Sequence, residues 1–376
     1  MIKFINDIFE PNLYITAYYS WNVSHFMSKI TFNSTQSPFF KSLKTKVDGY
    51  FSQNKITTSG NGKLYFKSIF QVASAIILYI VLVFFTPAGW LSVILCGLLG
   101  LNLALIGFNV MHEGGHNSFS KKKWLNRASA YSLNVLGGNS YFWQIKHNIN
   151  HHTYTNIDGM DFDIEVKHFM RLHENQPKYW FHRFQHLYCV FLYGISYVAW
   201  IFYQDFEKYF TGKVTKDLNF REHLIFWLTK IAYIVVYLII PVAVVGWSAL
   251  IGFGIIAFVC GITISVVFQL AHMVEHTEFP SPDKITNKIN NEWAVHQIST
   301  TANFATNNKL VSWMLGGLNF QVEHHLFPKI SHVHYPKINQ FVKETCQEFN
   351  IAYHEYPTVL KAVASHLTHI RKLGVS

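Results

Sequence analysis

The chain has 376 residues, half of them hydrophobic and only 14% charged, with a net charge of +10. The charged share is about half that of a soluble domain, and the apolar residues lie in long blocks, which argues against two or three soluble domains in series. The basic excess suits an anionic lipid surface or an acidic protein partner, and no nucleic-acid partner is expected.

The first 67 residues mix Ser, Thr and Asn with apolar residues and show no strong period; they are expected to form a cytoplasmic N-terminal segment. The start, MIKFINDIFE, lacks the apolar run of a cleavable signal peptide. QNKITTSGNGK at 53–63 reads as a loop. Residues 68–111 contain no Lys, Arg, Asp or Glu. A spanning helix takes about 20 apolar residues. The block therefore predicts two spans, near 68–86 and 91–111, broken at TPAGW.

Residues 112–223 form a central segment rich in His and aromatics. Its apolar stretch at 187–203 predicts a buried or interfacial helix, because a fifth crossing would put the later histidines on the opposite side from the earlier ones. Residues 231–274 are again free of Lys, Arg, Asp and Glu, and PVAVVGW breaks this region into spans near 224–245 and 249–271. Both breaks end on a tryptophan suited to a membrane interface, Trp90 and Trp247. Residues 341–376 read as a C-terminal cytoplasmic helical segment.

Lys41, Lys44, Lys46, Lys55, Lys63 and Lys67 precede the first span, and Lys121, Lys122, Lys123 and Arg127 follow the second. Basic flanks stay on the cytoplasmic side, so both termini and the central segment are expected there. The fold class read from the sequence is all-α integral membrane. Four transmembrane helices in two hairpins carry a cytoplasmic helical cap with a di-metal site, and 68–340 is the membrane unit. Cys96 and Cys260 fall in spans while Cys189 and Cys346 stand alone, so no disulfide framework or Cys-based zinc site is expected.

The 21 histidines carry the chemistry. Four groups fall near cytoplasmic span ends or in the cytoplasmic segments. They are His112 and His116 in HEGGH; His147, His151 and His152 in HNINHH; His272 and His276 in QLAHMVEH; and His324 and His325, with Gln321, in QVEHH. Residues i and i+4 of a helix share a face, so His112 with His116, and His147 with His151, can converge on one region. Adjacent residues diverge by about 100°. His151 and His152 therefore serve two neighbouring metals better than one, and His324–His325 repeat the argument. The pattern points to a dinuclear site with at least eight nitrogen ligands: His112, His116, His147, His151, His152, His272, His324 and His325.

His276 lies further from the membrane face than His272, and His296, His332 and His334 are not counted as ligands. His173, His182, His186, His354, His366 and His369 read as ordinary surface histidines. Imidazole suits zinc, copper, iron and nickel. Paired metals with so many neutral ligands fit redox work on dioxygen, which favours two iron ions. Glu113, Asp158, Asp161, Asp163 and Glu323 are candidates to accept the ligands' second N–H.

HEGGH alone would also fit an intramembrane zinc protease, with His112 and His116 on the metal and Glu113 as base. That reading leaves HNINHH and QVEHH without a role. A metal transporter would be expected to carry ionisable groups inside its spans, and these spans hold only Lys230. A lipid hydroxylase can share the same metal chemistry and stays open.

The boxes HEGGH, HNINHH and QVEHH resemble those of the membrane fatty acid desaturase family, with HNSF after the first, HHTYTNIDGMDFD from the second and LNFQVEHHLFP around the third. The glutamine heading the last box is similar to the front-end branch and to bacterial linoleoyl-CoA desaturases. Over 68–340 the resemblance implies a mushroom-like four-span fold with a cytoplasmic cap. It implies two iron ions on the histidines named above, with His272 contributed from the end of the last span. It also implies dioxygen-dependent insertion of a double bond into an acyl-CoA or acyl-lipid. Gln321 stands where the stearoyl-CoA branch has a histidine, and so is expected in a supporting or water-mediated position, as are Glu113 and Asp161. Phe268 stands where that branch has an asparagine. No HPGG cytochrome b5 segment is present, so electrons are expected from a separate ferredoxin, flavodoxin or cytochrome b5 with its reductase. Phe142, Trp143, Trp293, Phe320 and Phe327 are candidates to line a bent apolar channel.

Overall fold

The computed structural model describes residues 30–33 and 38–376, apart from 163, 165, 167, 213, 216 and 217. Asp163 and residues 1–29 of the N-terminal segment lie outside the described residues. Helix α1 (Pro38–Gln53) buries Phe39, Leu43, Val47 and Phe51. This four-residue stripe was masked in the sequence by the mixed residues around it. Helix α2 (Gly62–Phe85) begins before the span expected at 68, because the Asn61 side chain caps it by accepting from the Lys63 and Leu64 N–H groups. It ends where Thr86 turns left-handed ahead of Pro87.

Helices α3 (Gly89–Gly115), α4 (Lys123–Val135), α5 (140–154), α6 (Trp180–Thr211), α7 (Phe220–Val245) and α8 (Ala249–His272) follow. Gly246, at φ +91°, makes the turn between α7 and α8. The remaining chain adds α9 (Trp293–Ser299), α10 (Lys309–Met314), α11 (Gln321–Leu326), α12 (Tyr335–Glu348) and α13 (Val359–Val375). Two short parallel strand pairs, Thr31–Phe32 with Lys288–Ile289 and Asn303–Phe304 with Glu355–Tyr356, stitch distant segments together. The other regular elements among the described residues are helices, in line with the all-α expectation.

Among the described residues five helices, α2, α3, α6, α7 and α8, are long and apolar enough to cross a membrane, where four spans were expected. The fifth is α6, which extends the apolar stretch read at 187–203 at both ends. Phe66, Ile69, Phe70, Phe85 and Ile251 are each more than half exposed on these helices. Large apolar side chains exposed along these helices suit hydrocarbon, not water. Trp90 and Trp247 stand exposed at the breaks between α2 and α3 and between α7 and α8.

Close packing brings the helix ends into register. A Cβ on Gly100 would lie 2.4 Å from the Ile256 carbonyl oxygen, and one on Gly261 would lie 2.6 Å from that of Gly194. The missing side chains let α3 and α6 press against α8. Two buried lysines add polar ties. Lys67, expected in the basic flank, is buried in α2 and reaches the Trp313 carbonyl at 3.1 Å and His332 Nε2 at 2.9 Å. Lys230 of α7 donates to the Gly137 and Ile201 carbonyls and to Asp205 Oδ2, at 2.6, 2.9 and 2.9 Å.

Removing one partner of a buried ion pair leaves the other charge uncompensated. Asp205→Ala is therefore expected to cost about 3–5 kcal/mol, read as a lowered Tm of the detergent-solubilised protein. The double variant Asp205→Ala/Lys230→Met should recover most of the loss.

Candidate metal centre

The helices that carry the first two boxes depart from α geometry just where the histidines lie. In α3 the bonding widens to i→i+5 over Gly107–Met111, immediately before His112. In α5 it does so over Ile145–His151. Widened turns of this kind are frequent at functional sites.

Four imidazoles, those of His112, His116, His147 and His324, form one group, and His151, His272 and His325 form a second. Within each group the nitrogens able to hold a metal lie within 4.8 Å of one another. His152 sits between them: its Nε2 is 3.3 Å from His147 Nε2, and its ring lies 4.6 Å from that of His324 and 4.5 Å from that of His325. The His324–His325 doublet divides between the groups. His147 and His151, paired by their i,i+4 spacing, fall in different groups. His147 instead meets His152, five residues on, because the widened turn aligns residues five apart.

The outward nitrogens are held by the surrounding chain. His151 Nδ1 lies 3.0 Å from Asp161 Oδ2, which also accepts the Asn156 N–H. His272 Nδ1 is 3.2 Å from the Thr300 carbonyl, His325 Nδ1 is 2.7 Å from Gln297 Oε1, and His324 Nδ1 is 3.2 Å from the Tyr335 hydroxyl. The carbonyl and amide oxygens fix Nδ1–H on their rings and leave Nε2 as the ligand atom. Nε2 of His116, His324 and His325 is buried and has no hydrogen-bond partner among the described residues. Burial, reinforced by the neighbouring imidazoles, holds His116, His152, His324 and His325 well below the ordinary histidine pKa. The rings stay neutral and keep their lone pairs. Neutral buried nitrogens without a protein partner are what a metal with imidazole ligands requires, so this donor set fits such an ion.

The acids expected to support the ligands separate. Asp161 reaches His151. Glu113 turns elsewhere: Oε1 accepts from the His332 backbone N–H and Nδ1 at 2.8 and 2.7 Å, and Oε2 accepts from the Ser118 hydroxyl at 2.9 Å. Glu323 accepts from Asn303 and Asn339, and burial pushes its carboxyl up to about 7. Asp158 lies 4.0 Å from His173. Gln297, Tyr335 and Thr300 were not found from the sequence. Only the neighbour His296 in WAVHQ hinted at Gln297, and Thr300 acts through its backbone, which no residue type reveals.

His276 stacks on His354 and His296 packs on Phe32, both outside the two groups. His173, His182 and His366, read as surface residues, are buried. The His182 ring bonds the His168 carbonyl and His366 Nε2 meets the Tyr193 hydroxyl, because α13 folds back over the start of α6.

A cavity of about 280 Å³ opens beside the first group, lined by Met111, His112, Trp143, His147 and Gln321, with Leu103, Cys260 and Ile264 from α3 and α8. Of the five aromatics expected in a channel, Trp143 lines it. Phe142 packs on Phe226, and the Trp293 Nε1–H donates to the His152 carbonyl. Phe320 and Phe327 belong to the core shared by α1 and α12. The sequence could not separate them, since packing alone decides which aromatic face meets the cavity.

Gln297→Leu removes the acceptor of the His325 Nδ1–H at a buried site. It is expected to lower stability by about 1–3 kcal/mol and to weaken retention of a metal about 10- to 100-fold. Thermal melts and chelator competition measure the two effects.

Comparison with known proteins agrees with this geometry. The family model described as fatty acid desaturase matches residues 88–357. A protein named sn-1 linoleoyl-lipid 6-desaturase from Arthrospira platensis is 34% identical over 93% of this chain and 96% of its own length. One of the same name from Synechocystis sp. is 36% identical over 89% of this chain and 95% of its own. An acyl-lipid (8-3)-desaturase from Physcomitrium patens is 33% identical over 90% of this chain and 72% of its own. With the match extending through all three histidine boxes and the cavity beside them, the chain belongs to the fatty acid desaturase family and is an oxidoreductase that desaturates fatty acyl chains.

Proposed function

We propose that desaturation takes place on the acyl chain of a membrane lipid, at a pair of iron ions held by His112, His116, His147, His151, His152, His272, His324 and His325. The observation that carries this reading is the pair of adjacent imidazole groups, neutral and buried, at the wall of an apolar cavity. When bound, the metals supply the dioxygen chemistry that takes two hydrogens from neighbouring methylenes. The protein's part is to hold and exclude. Asp161, Gln297, Tyr335 and the Thr300 carbonyl set the ring orientations. Leu103, Met111 and Ile264 keep water from the cavity and hold the acyl chain in one place.

The relatives named for linoleoyl-lipid and acyl-lipid substrates favour a lipid-linked chain over acyl-CoA. The 6-desaturase names favour insertion between the carbonyl and a double bond already present. Electrons come from a separate acidic carrier, for which the exposed Lys121, Lys122 and Lys123 beside the first box offer complementary charge.

Four helices cross the membrane in this reading, and α6 lies at its surface. His272, at the end of α8, shares a group with His151, which precedes α6. An even number of crossings separates them, and α7 with α8 supplies two. The contacts of α6 agree: Ser196 meets Ser265 toward the site end of α8, and Tyr209 bonds His223 near the start of α7. Basic flanks put the site and both termini in the cytoplasm.

Expression in a host without polyunsaturated lipids, fed linoleate, is expected to give one new double bond by fatty-acid profiling; hydroxy acids in its place would overturn the reading. His116→Ala and His325→Ala are each expected to lower the iron content of the purified protein and abolish the product. For the topology, Phe220→Cys should be labelled from the same membrane side as Trp124→Cys, which precedes α6 and is exposed. Labelling of Phe220→Cys and Trp124→Cys from opposite sides would make α6 a fifth span.

A further inference from the structure

His366, read from the sequence as a surface residue, is 4% exposed and joins two distant parts of the chain. Its Nδ1 lies 2.7 Å from the Met273 carbonyl oxygen, and its Nε2 lies 2.8 Å from the Tyr193 hydroxyl. A carbonyl oxygen only accepts, so Nδ1 carries the proton and the bare Nε2 accepts from the Tyr193 O–H. One neutral ring satisfies both bonds, and both are buried.

The two groups it holds belong to different parts of the site. Tyr193 lines the apolar cavity from α6, beside Leu192 and Ser196. Met273 directly follows His272, where α8 ends, and His272 is grouped with His151 and His325. Two further ties from α13 hold the same segment: Ser365 Oγ accepts from the Glu275 N–H at 3.0 Å, and Lys372 pairs with Glu275. Tyr193, Met273 and Ile370, one turn beyond His366, share one buried cluster. α13 itself carries none of the grouped histidines and does not line the cavity. It registers the cavity wall against the end of α8 from outside both.

The bond to His366 also keeps the Tyr193 hydroxyl occupied. Without it, the ring could turn about its side-chain torsions, and a buried hydroxyl would be left to find a partner. A misplacement of about 1 Å can slow a positioned reaction about 100-fold.

We propose that His366 is a positioning residue for desaturation. Anchored on the backbone next to His272, it fixes the Tyr193 wall of the cavity, and with it the acyl chain, relative to the imidazole groups. The inference rests on the acyl cavity and the imidazole groups proposed above as the place of reaction.

The test compares the full-length wild type with Tyr193→Phe and His366→Asn in the linoleate-fed host. Both variants cut the bond on the cavity side. The asparagine keeps an N–H donor for the Met273 carbonyl, so each variant checks the other if one accumulates poorly. Product is read per amount of folded protein, together with the position of the new double bond by mass spectrometry and the iron content of the purified proteins. The expected result is wild-type iron content, a yield per folded protein lowered about tenfold, as for the loss of one hydrogen bond, and a second positional isomer. A yield that falls only in step with the amount of folded protein, at one unchanged position, would overturn the inference and leave His366 a staple of the fold. So would loss of iron in Tyr193→Phe, since the effect would then run through the metal and not through the cavity wall. If the wild type gives hydroxy acids, the desaturation reading alone fails, and the position of the hydroxyl in wild type and variants still tests His366.

Discussion

Neutral imidazoles crowded in a buried space, with ligand nitrogens that the surrounding chain leaves unbonded, are the constraint on which the molecule is built. Nε2 atoms such as those of His116, His324 and His325 carry an unsatisfied lone pair in the interior, and that arrangement is costly unless something else takes it. The rings of His151, His272, His324 and His325 are also gripped from outside, by a carboxylate, a backbone carbonyl, a hydroxyl and an amide oxygen in turn. Together the two conditions make a site that is rigid before its ligand arrives and unstable without one.

The packing of the apolar helices serves this requirement. The rings come from α3, α5, α8 and α11, far apart in the chain. The close approach at Gly100 brings α3 and α8 to one level, so that their histidines end at the same depth. The ties made by Lys67 and Lys230 hold α2 and α7 to the structure on the site side. The same helices enclose the cavity, which sets mostly apolar side chains beside the imidazoles. Stability, the placement of the imidazoles and the shape of the cavity are therefore coupled through one set of packed helices.

Much of this was legible in the sequence. Charge-free blocks give the spanning helices by length alone, and histidine doublets announce two neighbouring groups, since adjacent residues cannot face one way. The resemblance of the boxes pointed to the family before any geometry was available. Other features were not legible. Glu113 occupies the base position of a peptidase motif, yet it serves His332 and Ser118. His182 and His366 looked like surface residues because nothing local reports that α13, which carries His366, packs over the start of α6. Periodicity at 3.6 residues per turn brought His147 and His151 together, and their rings do stack at 5.2 Å, but it did not show that the widened turn at 145–151 also sets His147 against His152.

What the sequence determined by itself is the chemistry and the solvent: which side chains can hold a metal, and which segments must leave water. Both follow from residue type and local spacing. Which nitrogen faces inward, which acid supports which ring, and which of five aromatics meets the cavity were decided by tertiary structure. Those properties depend on backbone carbonyls, turn geometry and helices that meet only after the chain has folded.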